Sequence, residues 1–324
     1  MVDAVSPPRQ PRILAVGGAH VDRRGRVRGR YHPGASNPGT LSEDVGGGVF
    51  NALRNAVAAG AEASLMSLRG GDQAGDAVAR AIALAGIEDL SVVFLDRRTP
   101  SYTALIDAQG ELIAGLADME LYEVAFAKQL RRATTRQAVA GADAVLTDAN
   151  LPAPALATLA ELAEARPLFA IGVSPAKVVR LAPFLRRLAC LFVTTREAAK
   201  LAGLPVDAPA ESSVALLRRA GLVAGVATAG GRPLTGFDRD GAFQLEPPRP
   251  RRVADVTGAG DALAGVAVAA LTAGLPLRQA LRRGAAAAML TLESAAAVAD
   301  FTPAELDAAM ALVPEPQAVA WEAA

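Results

Sequence analysis

Short apolar runs that alternate with alanine-rich segments constrain the fold of this chain more than any other feature. Each run ends in glycines or small polar residues, and the clearest are RILAVGG, ADAVLTDAN, PLFAIGV, CLFVTT and GVATAGG. Continuous apolar runs of this length are typical of strands that are buried on both faces of a parallel sheet. Because the segments between them have helical character, we predict an α/β fold in which helices flank a central, mainly parallel sheet. We expect one domain over residues 1–324.

Three stretches depart from this alternation. TPSYTALIDAQGELIAGLADME (99–120) places β-branched and aromatic residues on both sides of DAQG, which predicts a β-hairpin. LTGFDRDGAFQLE (234–246) predicts a second hairpin. AHVDRRGRVRGRYHPGASNPGT (19–40) is rich in glycine, proline and charge, so it predicts turns with one or two exposed strands.

Ligands of open α/β sheets bind beyond the carboxyl ends of the strands. The loops that carry chemistry are therefore expected to be those that follow five positions near strand ends. These positions are Gly17, Asp148, Val193, Gly230 and Val256.

Composition excludes several classes of function. Thirty-three basic and 33 acidic residues give a formal net charge of zero, so the chain lacks the positive field that draws proteins to nucleic acid. The single cysteine, Cys190, lies in the apolar run LACLFV, where a buried structural thiol in a reducing compartment is expected. The N-terminal MVDAVSPPRQPR lacks the apolar core of a signal peptide, and residues 262–274 fall short of the roughly 18 that span a bilayer. We therefore expect a soluble, cytoplasmic protein with neither a polynucleotide nor a membrane partner.

The stretch DVTGAGDAL (255–263) predicts an anion site next to a carboxylate. It places small residues directly before a helix, where unpaired backbone N–H groups can converge on a phosphate. Asp261 would then stand beside that phosphate, which suits a general base that takes a proton from an attacking hydroxyl. The alternative is a glycine-rich turn in which Asp261 only complements the helix dipole.

Two longer motifs carry a family resemblance. DVTGAGDALAGVAVAAL in the C-terminal part and GGGVFNALRNAVAAGAEASLMSLRGGDQAGD in the N-terminal part resemble the signatures of the ribokinase-like (PfkB-type) carbohydrate and nucleoside kinases. The resemblance implies a ribokinase-like fold and an ATP- and Mg²⁺-dependent kinase, with a monovalent cation such as K⁺ as a further candidate cofactor. It also implies that Gly258, Ala259 and Gly260 form the anion hole and that Asp261 is the catalytic base.

Within the family, GGAHVD, SNPGT, LTDANLP and LTLESAAAV are most similar to the pseudouridine kinases. This similarity implies phosphorylation of the 5′-hydroxyl of pseudouridine, with Asp22, Gly46, Gly47 and Asn51 at the ribose. Asn37 has a donor and an acceptor that suit a pyrimidinedione edge, although Asn-Pro-Gly is also an ordinary turn sequence.

Other functions remain open at this point. One is a kinase of another nucleoside or of a free sugar such as ribose or fructose. Another is a homologue that binds a sugar or nucleotide without catalysis. A dinucleotide-dependent dehydrogenase is disfavoured, because GGAHVD lacks the G-x-G-x-x-G phosphate loop and no helix follows it directly.

The nucleotide end of the site is implied by the same family. ATAGG (227–231) is similar to its Thr-x-Gly loop, so Thr228 and Gly230 are expected to contact ATP, together with Thr257, Gly258 and Gly260.

The residues that are expected to bind the metal depart from the family pattern. TTRE retains Glu197, which would hold Mg²⁺ through water, but Thr194 stands where the family carries Asn. A hydroxyl can still hold a metal-bound water, so the departure weakens the metal assignment without removing the kinase interpretation.

The resemblance also implies a discontinuous β-sheet lid over about 23–45 and 98–120 that excludes water and forms a homodimer contact. His20 and His32 have no metal-ligand spacing, so we assign both to turn or surface positions. The tyrosines Tyr31, Tyr102 and Tyr122 fall near the predicted lid, and the sequence does not distinguish which of them faces a ligand.

Overall fold

The computed structural model describes residues 10–320 of the chain. The strands are β1 Arg12–Val16, β2 His20–Val27, β3 Gly39–Gly46, β4 Glu62–Met66, β5 Leu68–Gly70, β6 Glu88–Asp89, β7 Val92–Phe94, β8 Ser101–Ile106, β9 Leu112–Asp118, β10 Ala144–Asp148, β11 Leu168–Ile171, β12 Leu188–Thr194, β13 Gly225–Ala229, β14 Arg232–Asp238, β15 Gly241–Leu245 and β16 Gln317–Val319.

The α-helices are α1 Gly48–Ala58, α2 Gln73–Leu84, α3 Glu120–Leu130, α4 Ala133–Gly141, α5 Ala153–Leu162, α6 Pro175–Val178, α7 Thr195–Leu201, α8 Ala210–Arg219, α9 Ala259–Thr272, α10 Leu277–Glu293 and α11 Pro303–Met310. A 3₁₀ helix follows α6 over Val179–Arg187.

The large sheet has ten strands in the order β16-β15-β14-β13-β12-β11-β10-β1-β4-β6. Every pair from β13 to β6 is parallel, which confirms the predicted mainly parallel sheet. Alternate residues of β1 enter different cores: Ile13 and Ala15 pack into one, and Leu14 and Val16 into the other. A strand that serves two cores must be apolar throughout, and this explains the uninterrupted runs in the sequence.

The sheet ends in antiparallel strands at one edge. β14 and β15 form the predicted second hairpin, and β16 adds to it. The turn between β13 and β14 passes through Gly230, whose φ is +65°, a conformation that favours glycine. Cys190 is fully buried in β12, as expected.

A separate four-stranded sheet has the order β3-β2-β8-β9. It combines the 99–120 hairpin with the two strands formed by residues 20–27 and 39–46, and β2 and β8 pair in parallel. Side chains of directly paired residues share a face of a sheet. We use the name inner face for the side that carries Asp22, Arg24 and Tyr102, and outer face for the side that carries Leu41 and Leu116.

Glycines let the central helices pack closely. A Cβ on Gly265 of α9 would lie 1.9 Å from the carbonyl oxygen of Ala52 in α1, and one on Gly284 of α10 would lie 2.5 Å from that of Leu263. The close crossing brings the N-terminal turn of α9 next to α1. Within residues 10–320, no helix combines the length and the apolar character needed to cross a membrane.

Candidate active site

The first turn of α9 has the geometry that the DVTGAGDAL motif predicts for an anion site. Gly258 caps the helix with φ +81°, and a Cβ there would lie 1.9 Å from the carbonyl oxygen of Ala297, so only glycine fits. A Cβ on Gly260 would have no atom within 4 Å, which leaves open space above the turn. The first backbone N–H groups of a helix have no intrahelical partner, so those of Ala259 and Gly260 can serve an anion in that space.

Asn51 holds Asp261 from the neighbouring helix α1. Its Nδ2 donates to Asp261 Oδ2 at 3.0 Å, and no donor from residues 10–320 reaches Oδ1 of Asp261, which is therefore able to accept a proton. Asn51 is 5% exposed, and its own Oδ1 is buried without a hydrogen-bond partner among the described residues. An unpaired buried acceptor is costly unless a ligand supplies the donor, so Asn51 has the property expected of a group that binds a hydroxyl.

The carboxyl group of Asp261 has a strongly perturbed acidity. Burial raises its pKa to about 7, the hydrogen bond from Asn51 opposes the shift, and the negative charges of Asp148, Asp22 and Glu197 add to it. A carboxylate with a pKa near the working pH is suited to general-base chemistry.

A second carboxylate, Asp148, lies across Gly48 from Asp261. A Cβ on Gly48 would be 3.7 Å from Asp148 Oδ2 and 3.7 Å from Asp261 Oδ1. Asp148 ends β10 and is fully buried. The sequence marked this position only as a strand end that precedes a candidate loop and assigned no role to its side chain.

The oxygens of Asp148 are all occupied by donors. Oδ2 accepts from the N–H of Gly18 at 3.3 Å and from Asn150 Nδ2 at 3.1 Å, and Oδ1 accepts from the N–H of Asn150 at 2.9 Å. Lys177 Nζ in turn donates to Asn150 Oδ1 at 2.7 Å. Burial raises the pKa of Asp148 and lowers that of Lys177, whose ammonium group is stabilised by the charge of Asp148.

Asp22 lies against Gly46, as expected if both residues bind the sugar. A Cβ on Gly46 would lie 2.1 Å from Asp22 Oδ2, so the carboxylate rests directly against the glycine backbone. Gly47 caps α1 with φ +119°, and a Cβ there would clash with the carbonyl oxygen of Gly18 at 2.2 Å. The structure thus brings Asp22, Gly46, Gly47 and Asn51 together beside Asp261, and their roles toward a ligand stay predictions.

The surface assignment of His20 is wrong. The side chain lies on β2, is buried (the residue is 6% exposed), and places Nε2 3.4 Å from Asp22 Oδ1. Its ring meets the edge of Tyr122, and no described residue is a partner for Nδ1. The local sequence shows turn-forming residues around His20, but strand pairing with β3 and β8 places it inside. His32 is exposed, as expected.

The predicted nucleotide and metal residues meet at the carboxyl ends of β12 and β13. Thr194 and Thr228 are direct register partners, and Gly230 follows in the next turn. Glu197 belongs to a capping box: the N–H of Thr194 donates to Glu197 Oε2 at 2.7 Å, and the N–H of Glu197 donates to Thr194 Oγ1 at 3.3 Å. The hydroxyl of Thr194 therefore caps α7.

No protein-only metal site exists in residues 10–320, since no group of three or more His, Cys, Asp or Glu side chains could hold an ion. Glu197 is 5% exposed, and burial raises its pKa. A single buried carboxylate fits a metal that brings most of its ligands with it as phosphate oxygens and water.

A cavity of about 580 Å³ lies between the inner face of the small sheet and the loop 253–257. Its lining includes Asp22, Arg24 and Tyr102 on the sheet and Asp255 on the loop. Tyr102 lies over Gly115 of β9, where a Cβ would come within 2.6 Å of the tyrosine hydroxyl oxygen. A larger cavity, of about 1010 Å³, lies against the C-terminal end of α10, and none of the predicted site residues lines it.

The tyrosines near the small sheet differ in position. Tyr122 is fully buried, and its hydroxyl donates to the carbonyl oxygen of Ala19 at 2.9 Å. Tyr31 lies in the loop between β2 and β3. Tyr102 is the one that lines the cavity beside Asp22.

Asn37 uses its side chain within its own loop. Oδ1 accepts from the N–H of His32 at 2.8 Å, and Nδ2 donates to the carbonyl oxygens of His32 and Ala35, each at 2.9 Å. These bonds form a turn between β2 and β3, and recognition of a base by Asn37 stays a prediction.

A family model described as pfkB family carbohydrate kinase matches residues 10–304. The pseudouridine kinase of Escherichia coli K12 is 26% identical over 273 residues, which cover 83% of this chain and 87% of that protein.

Solved structures agree on the fold. A carbohydrate kinase from Agrobacterium tumefaciens superposes with a TM-score of 0.84 at 43% identity and covers 95% of this chain and 99% of its own. A ribokinase from Arabidopsis thaliana, solved with ribose and ATP, superposes with a TM-score of 0.83 at 18% identity over 93% of this chain and 99% of its own. The fold of the chain is therefore ribokinase-like, with a separate small sheet.

Proposed function

The chain belongs to the pfkB family of carbohydrate kinases, and on that premise we propose that it transfers a phosphoryl group from ATP to the 5′-hydroxyl of pseudouridine. Membership of the family makes the protein a sugar or nucleoside kinase. One observation carries the assignment of the reacting residues: Asp261 has one free carboxylate oxygen and a pKa of about 7, and it stands at the anion-binding turn of α9.

The catalytic step follows from these positions. Asn51 holds Oδ2 of Asp261, and Oδ1 takes the proton from the acceptor hydroxyl as its oxygen attacks the terminal phosphorus of ATP. The N–H groups at the start of α9, from Gly258 to Gly260, stabilise negative charge on the transferred group. In phosphoryl transfer, positioning and electrostatic stabilisation supply nearly all of the catalysis.

The electrostatics of the cleft support a requirement for Mg²⁺. The negative charges of Asp22, Asp148 and Glu197 all act on Asp261, and ATP adds more negative charge. Mg²⁺ would be held by the triphosphate and by water on Glu197, and when bound it neutralises the phosphates. We also propose ATP contacts from Thr228, Gly230 and Thr257. The family resemblance adds a monovalent cation, and activity in K⁺ compared with that in Na⁺ and in choline tests it.

The cavity under the small sheet supports a nucleoside as the acceptor. Beyond Asp22 it continues past Tyr102, Ala104 and Ile106, which is more room and more apolar surface than a free pentose needs. The similarity to the E. coli pseudouridine kinase favours a C-linked uracil over other bases.

A substrate panel tests this proposal. The purified protein is assayed with ATP and Mg²⁺ against pseudouridine, uridine, ribose and fructose, and we expect pseudouridine to have the largest kcat/KM. A larger value for ribose or fructose would replace the nucleoside with a free sugar. Nucleotide binding without phosphorylation of any acceptor would instead indicate a binding protein that retains the fold.

We propose further that the small sheet is a lid whose outer face forms a homodimer. Leu41 and Leu116 lie on that face, and each is 70% exposed. They lie on the two edge strands of the sheet, β3 and β9, so a partner that covered the outer face would bury both. Sedimentation velocity should show a dimer for the unmodified protein and a monomer for Leu41→Asp/Leu116→Asp. The control is Leu84→Asp, since Leu84 is 89% exposed on α2 outside the small sheet. A wild-type monomer would refute the proposal.

A further inference from the structure

We propose that the ion pair between Arg24 and Asp255 is a positioning device that ties the small sheet to the phosphate-binding turn and so aligns the acceptor hydroxyl with Asp261. The proposal rests on the proposed kinase function. It concerns two side chains for which the sequence suggested no role, and which lie 231 residues apart in the chain.

The two oxygens of Asp255 perform different tasks. Oδ1 accepts the N–H of Thr257 at 2.8 Å and so shapes the turn that leads into Gly258. Oδ2 accepts from Arg24 Nη1 at 3.2 Å. One carboxylate therefore joins the strand that carries Asp22 to the turn that begins the anion site.

The loop on either side of Asp255 has little other support on the cavity side. Val253 is 60% exposed and Val256 is 71% exposed, so most of the surface of each residue is open to solvent. On the opposite side the N–H of Ala254 donates to the carbonyl oxygen of Leu292 at 2.8 Å, which fixes the loop to α10. Arg24 is thus the polar link from the sheet to a loop that is anchored behind.

The ion pair would therefore fix the distance between the residue that is predicted to hold the sugar and the residue that is proposed to take the proton. Asp22, predicted to hold the sugar, lies two residues before Arg24 on the same face of β2, and Asp261 follows Asp255 in the first turn of α9. A displacement of about 1 Å between reacting groups can cost on the order of 100-fold in rate. The pair itself is partly exposed, with side chains 34% and 29% accessible. Such pairs add little to global stability, so its effect should fall on turnover.

The test compares Arg24→Met, Asp255→Asn and the double variant with Arg283→Met. In Asp255→Asn the new amide would retain an acceptor for the Thr257 N–H while removing the charge that Arg24 contacts. Arg283 pairs with Asp307 at 2.8 Å between α10 and α11, away from the cleft, so the control removes an ion pair by the same substitution. All proteins are assayed at saturating ATP, Mg²⁺ and K⁺ with the best acceptor of the wild-type enzyme.

We expect kcat to fall about tenfold in each single cleft variant, with the KM for ATP changed less than twofold, because alignment is lost while ATP contacts remain. The double variant should be no slower than the worse single variant, and Arg24→Lys should recover part of kcat. Equal kcat values for Arg24→Met and Arg283→Met, or single effects that multiply in the double variant, would overturn the proposal.

A second measurement does not depend on the acceptor. Amide hydrogen exchange over residues 256–260 of the ligand-free protein should be faster in Arg24→Met than in wild type and unchanged in Arg283→Met. Unchanged exchange in Arg24→Met would overturn the proposal. If the enzyme prefers ribose to pseudouridine, the substrate proposal fails, whereas the same comparison made with ribose still decides the role of the ion pair.

Discussion

Two carboxylates, at the carboxyl end of β10 and in the first turn of α9, both lie near Gly48 and differ in what surrounds them. Asp148 is fully buried and accepts three hydrogen bonds from backbone and amide N–H groups. Asp261 is only partly buried and accepts one hydrogen bond, from Asn51. Burial raises the pKa of both groups. A raised pKa therefore does not by itself identify a base, and our proposal for Asp261 rests on its free oxygen beside the first turn of α9.

The substitution Asp261→Asn tests most directly whether Asp261, and not Asp148, accepts the proton. We expect kcat to fall by on the order of 10²–10⁴, since the amide cannot accept the proton while its shape is retained. Steady-state kinetics measure the loss, and circular dichroism with thermal unfolding shows that the variant is folded. Near-normal turnover in a folded Asp261→Asn protein would show that another group is the base.

The acidic side of the pH profile tests the same carboxylate without mutation. Asp261 must be ionised to accept a proton, and its pKa is about 7. We expect kcat/KM for the acceptor to fall roughly tenfold per pH unit below that value, and so by about 100-fold at pH 5. The residual activity of Asp261→Asn should lack this dependence. A profile that is flat from pH 8 to pH 5 would contradict the assignment.

Asp148→Asn should mainly affect stability. In either orientation, the new amide N–H group would face another N–H group, that of Gly18 or that of Asn150. Asn150 cannot turn its own side-chain amide to compensate, because it would lose the hydrogen bond from Lys177. We expect a loss of about 1–3 kcal/mol in the free energy of unfolding, measured by urea denaturation. Removing this negative charge should also shift the acidic limb of the kcat/KM profile to lower pH. Full stability with no turnover would instead place Asp148 in the chemistry.

The smallest expected effect is on the pH dependence of stability. The pKa of Asp261 is higher in the folded protein than its ordinary value of 3.8, so the folded state binds more protons between about pH 4 and pH 7. Stability is therefore lost as the pH rises through this window. Asp261→Asn lacks the penalty, and its Tm should exceed that of wild type by about 2–4 °C at pH 8 and by less at pH 4.5. Equal Tm differences at both pH values would show that the pKa of Asp261 is not raised in the folded protein.

Much of the fold could be predicted from local patterns. The apolar runs predicted the parallel strands, and the turn sequence DAQG with its flanking β-branched residues predicted the hairpin of β8 and β9. Gly258 and Asp261 were identified because a helix N-terminus is a local structure, formed by residues adjacent in the chain.

The parts of the site that the sequence did not predict depend on distant contacts. His20 sits among turn-forming residues, yet pairing of β2 with β3 and β8 buries it. Asp148 was recognised only as a strand end. Two of its three donors belong to nearby Asn150, but the third is the N–H of Gly18, which lies 130 residues away in the chain. Arg24 is one of several arginines in RRGRVRGR, and nothing in that run singles it out as the partner of Asp255.

Local sequence patterns specify which backbone segments become strands, helices and turns, and therefore where the proposed anion-binding turn and its carboxylate lie along the chain. Periodicity, glycine conformation and helix capping depend on residues that are close together in the chain, so they can be recognised from the sequence. Local patterns do not show which carboxylate keeps an oxygen free of donors or which arginine reaches Asp255 in the loop before α9. Those outcomes depend on close packing of α1 against α9 and on strand register in the small sheet, which bring together residues that are far apart in the chain.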